Sequence, residues 1–162
     1  MSAPSRPRVA VLGLGNEFRG DDALGCLVGQ RLQEEAWPGI SIRIASGEGT
    51  ALMDAWQEAD AVILVDAVQS GAPPGTLHRL DAHQQSIPSD FFHYSTHAFS
   101  VAEAVEMARA LHQLPPGLIL YGIEGYDFAQ GAGLSSQVTA VMDELLAQVR
   151  LEIRRLLGPV PT

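Results

Sequence analysis

Three side chains that can bind a metal occupy equivalent places in the sequence. Glu17 follows an apolar run at residues 9–12 and a glycine turn, Asp66 ends the apolar run at 61–65, and His97 comes just before an amphipathic segment. Because the carboxyl ends of parallel strands meet at one edge of a sheet, we expect these three side chains to lie close together. Two carboxylates and one imidazole suit a divalent transition metal such as Ni²⁺ or Zn²⁺, with positions left open for water or substrate.

Each of these residues also has a purely structural interpretation. An aspartate at a strand end can accept hydrogen bonds from loop amides, a histidine before a helix can cap it, and Glu17 can simply be solvated. Taken singly, the structural interpretation is favoured for all three. Taken together, the metal site gains weight, because two carboxylates at one edge repel each other and raise a pKa unless a cation or hydrogen-bond donors relieve them.

The glycine turn before Glu17 has a second interpretation. Gly13 and Gly15 can begin a dinucleotide-binding fingerprint, but Phe18 stands where the third glycine belongs. Glu17 would also face the pyrophosphate with the wrong charge. Dinucleotide binding is therefore disfavoured.

The elements that must position these residues alternate between strands and helices. Continuous apolar runs at residues 9–12, 61–65 and 118–123 are typical of inner strands, and residues 40–44 alternate as a half-covered strand does. Amphipathic segments between them predict helices. This order predicts an α/β fold with a mostly parallel, twisted sheet of about five strands and helices on both faces. Residues 76–80 predict one short antiparallel strand at the sheet edge.

Local signals indicate where the helices begin. Asp21 and Asp22 stand where the first helix is expected to start, and there their carboxylates can accept hydrogen bonds from its free amides. Thr50 is the expected cap of the second helix, and Ser135 or Ser136 is the expected cap of one long final helix. Two predicted loops, at residues 81–96 and 124–133, border the same edge and are suited to substrate selection. His78, His83 and His112 receive no role.

The composition excludes several classes of partner and location for this protein. The formal net charge is −9, with ten Lys plus Arg against nineteen Asp plus Glu, and such an acidic chain repels a phosphate backbone, so no nucleic-acid partner is expected. Cys26 is the one cysteine, which excludes an internal disulfide and indicates a reducing compartment. No apolar run approaches the ~18 residues of a membrane span. We expect a cytoplasmic monomer with a single domain over residues 1–162.

A set of short motifs, in order and at characteristic spacing, extends from Val9 to about Val141. They are Gly13-Leu14-Gly15-Asn16-Glu17 followed by Asp21-Asp22, Gly49-Thr50, Val65-Asp66-Ala67-Val68 with Gly71 and Pro74-Gly75, Ser95-Thr96-His97, and Gly122-Ile123-Glu124 with Leu134-Ser135. No single motif is specific, but together they resemble the hydrogenase maturation endopeptidases. These proteases trim the C-terminus of the large subunit of nickel–iron hydrogenases.

The resemblance implies a three-layer α/β/α sandwich and a single hydrogenase maturation protease-like domain. It implies an endopeptidase whose partner is a nickel-loaded precursor of the hydrogenase large subunit, and whose metal ligands are Glu17, Asp66 and His97. The metal is then Ni²⁺ supplied by the substrate, and Zn²⁺ or Cd²⁺ can take its place. Many members of the family carry an aspartate before Gly-Gly-Thr that has been suspected of catalysis; here Glu48 precedes Gly49 and is the candidate for that role.

The residues favour metal-assisted hydrolysis over covalent catalysis. No serine or cysteine nucleophile with an adjacent base is evident, so the simplest mechanism is a metal-polarised carbonyl attacked by water, with a nearby carboxylate as base. Two alternatives remain open. One is a peptidyl-tRNA hydrolase-like enzyme, which also opens with a Gly-Leu-Gly-Asn turn. The other is a non-catalytic nickel-sensing or chaperone module that uses the same ligands.

Overall fold

A five-stranded sheet forms the middle layer of the protein, whose computed structural model describes residues 6–92 and 99–158. The strands are β1 (Val9–Leu14), β2 (Ile40–Ala45), β3 (Ala61–Val68), β4 (Leu77–Asp81) and β5 (Gly117–Glu124). Their order across the sheet is β2-β1-β3-β5-β4, and only the pairing of β4 with β5 is antiparallel. The predicted mostly parallel sheet with one antiparallel edge strand is confirmed.

The burial of each strand follows from its apolar pattern. Every residue of β1 and β3 is buried, as expected for continuous apolar runs covered on both faces. In β2 exposure varies along the strand, and Arg43 points to solvent. β2 therefore lies at the edge of the sheet, where one side lacks a neighbouring strand.

Helices cover both faces of the sheet and complete three layers. They are α1 (Leu24–Glu34), α2 (Gly49–Trp56), α3 (Val101–Ala110), α4 (Ser136–Thr139) and α5 (Met142–Leu157). One core joins α1, α4 and α5 to the sheet through residues that include Val11, Val28, Ile63, Val138 and Val149. The other joins α2 and α3 to the opposite face through residues that include Leu12, Leu52, Leu64 and Val105. The α/β/α sandwich is thus confirmed. Among the described residues, no helix combines the length and apolarity needed to cross a membrane.

The starts of α1 and α2 differ from the sequence-based expectation. Asp21 and Asp22 lie in a 3-10 turn, Gly20–Ala23, and α1 begins after it without a side-chain cap. Thr50 lies inside α2, whose cap is Glu48. A glutamate side chain is long enough to reach two free amides at once, which explains why it replaces the threonine as the cap.

The final helix is interrupted. Ser135 caps α4 as predicted, with its Oγ accepting a hydrogen bond from the Val138 amide at 3.3 Å. However, the chain leaves the helical path at Ala140–Val141 and resumes as α5, so the expected single long helix is wrong. In α3, a capping box formed by Ser100 and Glu103 defines the start. The predicted helix start near Ala98 lies outside the described residues.

Candidate functional site

The turn after β1 is shaped by a close backbone approach. Gly15 has a φ of +131°, and a Cβ at this position would lie 1.9 Å from the Asp22 carbonyl oxygen, so only glycine fits. Asn16 donates its amide to Asp22 Oδ2 at 2.9 Å and accepts the Phe18 amide with its own Oδ1 at 2.9 Å. The turn therefore presents Glu17 and Phe18 to solvent at the carboxyl edge of the sheet.

Asp66 lies near the carboxyl end of β3 with 7% of its surface exposed. Its Oδ1 accepts a hydrogen bond from the Ala67 amide at 2.8 Å. Burial, and after it the negative charge of Asp22, raise the pKa of the Asp66 carboxyl well above its usual range. A nearby divalent cation would favour the ionised form, so this environment fits a metal ligand.

Asp66 and Asp22 line one small cavity. Its volume is about 20 Å³, enough for a single water-sized group. The other lining residues come from the ends of β1 and β2, from the segment after β4 and from the start of α3: Gly15, Ser46, Gly47, Phe92, Ser100 and Val101. The carboxyl ends of three parallel strands therefore contribute to one site, as the strand pattern predicts.

Glu17 belongs to the same corner of the molecule. The buried thiol of Cys26 donates to the Gly15 carbonyl oxygen at 3.4 Å, and its pKa is raised to about 11 by burial and by the charges of Asp22, Glu17 and Asp66. Both predicted carboxylate ligands thus lie within electrostatic range of one sulfur atom. A thiol with so high a pKa stays protonated at neutral pH, which opposes a nucleophilic role for Cys26.

The predicted imidazole ligand, His97, lies outside the described residues, as do all residues from 93 to 98. Within residues 6–92 and 99–158, no group of three His, Cys, Asp or Glu side chains is arranged to bind a metal. The set Glu17, Asp66 and His97 therefore stays a prediction.

Glu48 stands at the start of α2, where its two carboxylate oxygens accept the amides of Thr50 and Ala51, each at 3.0 Å. This contact explains the residue as a helix cap. Its neighbour Gly47 lines the cavity, but Glu48 is not among the lining residues. A catalytic role for Glu48 stays a prediction.

Asp21 joins the first loop to the loop after β5, a role that its place in the sequence does not show. It is fully buried, and its carboxylate accepts the amides of Tyr126 at 2.7 Å, Asp127 at 2.9 Å and Ser135 at 2.7 Å. The Ser135 hydroxyl donates to it at 2.8 Å. The sequence signal was limited to the pair Asp21-Asp22, because the amide donors lie more than a hundred residues away.

Glu124, at the end of β5, forms a second buried contact that was not predicted. It is 2% exposed and accepts the Ser70 amide at 2.8 Å and the Ser70 hydroxyl at 2.6 Å. His78 Nε2 lies 3.3 Å from Glu124 Oε1. In the sheet register Asp66 pairs with Gly122, and Gly122 pairs with His78. This contact therefore borders the site, and His78 has a partner that no local pattern could indicate.

Comparison with known proteins gives a consistent result. The family model described as hydrogenase maturation protease matches residues 29–152. The hydrogenase expression/formation protein HupD of Thiocapsa roseopersicina is 27% identical over 161 residues, which cover 93% of this chain and 73% of that protein. The hydrogenase 2 maturation protease of Escherichia coli strain K12 is 27% identical over 151 residues, covering 91% of both.

Solved structures share the fold. The solution structure of an endopeptidase from Escherichia coli has a TM-score of 0.76 at 25% identity, covering 91% of this chain and 93% of that one. The hydrogenase maturating endopeptidase HybD from E. coli has a TM-score of 0.73 at 24% identity with the same coverage.

An α/β/α sandwich with acidic side chains gathered at the carboxyl edge, matched by this family model over most of its length, defines a maturation protease. The chain belongs to the hydrogenase maturation protease family, so the resemblance seen in the sequence is confirmed. Membership makes the protein a hydrolase of the peptidase class, which favours the protease over the peptidyl-tRNA hydrolase alternative.

Proposed function

We propose that the protein is an endopeptidase that removes the C-terminal extension from a nickel-loaded precursor of a [NiFe]-hydrogenase large subunit. The observation that carries this proposal is the buried carboxyl of Asp66. It lies at the carboxyl end of β3, in a chain of this protease family, and both burial and Asp22 disfavour its charge. A metal ion delivered by the precursor would relieve that penalty.

The proposed ligands of the precursor's nickel are Glu17, Asp66 and His97. Glu17 is exposed on the turn after β1, where an incoming precursor can reach it, whereas Asp66 is fixed inside the cavity wall. Zn²⁺ accepts the same oxygen and nitrogen ligands, and Zn²⁺ or Cd²⁺ can take the place of nickel. The three ligands would then test whether the precursor carries its metal before the extension is cut.

Hydrolysis needs an activated water and a polarised peptide carbonyl. A divalent metal supplies the Lewis acid that polarises the carbonyl. Both candidate bases accept backbone amides, Glu48 those of Thr50 and Ala51 and Asp22 that of Asn16, but of the two only Asp22 lines the cavity beside Asp66. We therefore assign the base to Asp22, which would accept the proton of the attacking water.

The experiment that tests this function uses purified protein and purified nickel-loaded precursor. Mass spectrometry of the reaction should show two products, the shortened large subunit and the released C-terminal peptide. Replacing His97 with alanine should abolish processing while the circular dichroism spectrum and the melting temperature stay unchanged. His112→Ala, at an exposed position beyond α3, is the matched control and should process normally.

Two results would refute the proposal. Normal processing by the His97→Ala variant would show that His97 is not a ligand of the metal, and the proposed metal site would be wrong. Binding of the nickel-loaded precursor by the wild-type protein without any cleavage would instead support the nickel-sensing or chaperone alternative.

The remaining expectations follow from the same function. We propose that residues 1–162 form one domain, that the protein is a monomer, and that it acts in the cytoplasm, where precursor subunits are made. Sedimentation of the purified protein at several concentrations tests the monomer directly.

A further inference from the structure

Two aromatic side chains stand exposed at the carboxyl edge of the sheet. Phe18, on the turn after β1, is 66% exposed, and Tyr126, on the loop after β5, is 64% exposed. We call this pair the aromatic rim. Large aromatic side chains lose a substantial hydrophobic gain when they remain in water, so an exposed pair beside a site indicates a contact surface.

The backbone beneath the aromatic rim is firmly held. The Gly131 amide donates to the Phe18 carbonyl oxygen at 2.8 Å, and the Asp21 carboxylate accepts the Tyr126 amide at 2.7 Å. Gly20 has a φ of +55°, and a Cβ there would lie 2.3 Å from the Asp127 carbonyl oxygen, so the two loops touch through their main chains. The backbone that carries both rings is therefore already ordered, so little conformational entropy of these loops would be lost when a partner binds.

The aromatic rim adjoins the proposed catalytic site. Phe18 directly follows Glu17 in the chain, and both side chains are exposed on the turn after β1. Tyr126 is hydrogen-bonded to Asp21, and the next residue, Asp22, lines the cavity with Asp66.

The charge of the two loops indicates the chemistry of the partner. Residues 16–22 and 124–135 contain a single cation, Arg19. Against it stand the exposed Glu17 and the half-buried Asp22 and Asp127, in a chain with a net charge of −9; the other two acids of these loops, Asp21 and Glu124, are buried. A segment that carries positive charge beside apolar side chains is complementary to such a surface.

The size of the aromatic rim argues against a second copy of this chain. Two aromatic side chains bury roughly 150–250 Å² each. A stable protein–protein interface needs about 1,200 Å² or more. The aromatic rim fits a transient contact with a substrate segment.

We propose that the aromatic rim binds apolar side chains of the nickel-loaded precursor, in a positively charged segment next to the bond that is cut. This proposal rests on the proposed function, because the precursor is its occupant. Phe18 and Tyr126 are therefore specificity-determining residues that contact the substrate before and during cleavage.

The test compares the double variant Phe18→Ala/Tyr126→Ala with the wild type. Loss of the two rings should raise KM by about tenfold or more and leave kcat within about twofold, because the contact is made equally before and during the reaction. Tyr126→Phe keeps the ring and should behave as the wild type. The matched control is Leu111→Ala/Leu151→Ala. Leu111, just beyond the C-terminal end of α3, is 54% exposed, and Leu151, on α5, is 62% exposed.

A second measurement does not depend on cleavage. The probe is fluorescently labelled precursor without nickel, whose dissociation constant is measured by anisotropy at low and high salt. The double variant should bind it about tenfold more weakly, and wild-type binding should weaken as salt rises.

The outcomes separate this inference from the proposed function. If the wild type does not process the precursor, the proposed function fails, and the dissociation constants alone decide on the aromatic rim. KM and dissociation constants within twofold of the wild type would overturn the inference, as would an equal loss in the control variant. A wild-type dimer that dissociates in the double variant would also overturn it, because a second copy would then be the occupant.

Discussion

Asp22 and Asp66 line the same cavity at the carboxyl edge of the sheet, and the charge of Asp22 adds to burial in raising the pKa of Asp66. The two carboxyl groups come from different elements, the 3-10 turn before α1 and strand β3. Their proximity concentrates negative charge in a small cavity that water hardly reaches. Ionisation of both carboxyl groups is therefore unfavourable in the metal-free protein, and a bound cation would make it favourable.

Replacing Asp66 with asparagine should stabilise the metal-free protein at neutral pH. The pKa of Asp66 is higher in the folded than in the unfolded chain, so its ionisation destabilises the fold as pH rises above about 4. Asparagine removes that charge and keeps an oxygen for the Ala67 amide. Each unit of pKa shift corresponds to about 1.4 kcal/mol.

Urea unfolding with a chelator present, at pH 4.0 and pH 7.5, measures this effect. The advantage of the variant should be small at pH 4.0 and larger at pH 7.5, and the variant should not process precursor. Equal free energies of unfolding at pH 7.5 would contradict the raised pKa.

The assignment of the base can be tested with two carboxylates. Asp22→Asn should lower kcat by about 10²–10⁴-fold, because the water loses its proton acceptor. Glu48→Gln should keep kcat within a few fold and lower the free energy of unfolding by about 1 kcal/mol, because it weakens the cap of α2. Processing rates and urea unfolding of both variants measure this, and the opposite pattern would assign the base to Glu48.

Asp21→Ala should loosen the loop after β5. Removal of its carboxylate leaves the amides of Tyr126, Asp127 and Ser135 without their acceptor, at a cost of about 1–3 kcal/mol for each amide that water cannot reach. Hydrogen exchange measured by NMR should show faster exchange at these three amides than in the wild type. Asp54→Ala, at an exposed position on α2, is the control. Unchanged exchange at all three amides would show that Asp21 does not hold the loop.

Glu152 on α5 should stabilise the protein in a pH-dependent way. Burial raises its pKa, but hydrogen bonds from Arg79 at 2.8 Å, Tyr121 at 2.7 Å and Arg155 at 2.6 Å outweigh burial and lower it. Its contribution is therefore present above its ordinary pKa of about 4.5 and is lost as pH falls through the lower folded value.

Glu152→Gln should therefore lower the free energy of unfolding at pH 7 by about 1–2 kcal/mol, because the buried carboxylate loses its charge-assisted hydrogen bonds while the exposed Arg79 and Arg155 side chains stay solvated. The difference from the wild type should shrink in urea unfolding at pH 3. Glu144→Gln, an exposed neighbour on the same helix, should change the stability by less than about 0.5 kcal/mol. A difference that does not depend on pH would contradict the lowered pKa.

The layers of this fold could be predicted from local patterns. Continuous apolar runs indicated β1, β3 and β5 as inner strands because both faces of a buried strand must be apolar. The short segment at residues 76–80 indicated the antiparallel edge strand, and β4 is found there. Helix boundaries were less accurate: α2 is capped by the side chain of Glu48 in place of Thr50, and the apolar stripe of the last segment continues across the break between α4 and α5, where Val141 has no side-chain cap.

The sequence by itself determined that Glu17 and Asp66 lie at the carboxyl ends of two apolar runs that form parallel strands, since apolar periodicity and chain order are local properties. That these two strands, β1 and β3, are neighbours was decided only by the tertiary structure. Only the tertiary structure decided that Asp22 meets Asp66, that Asp21 holds the loop of Tyr126, and that Glu124 pairs with His78. Each of these contacts joins residues from elements far apart in the chain. Which residues become neighbours depends on how the strands are ordered and how the loops pack. A local sequence pattern does not predict either.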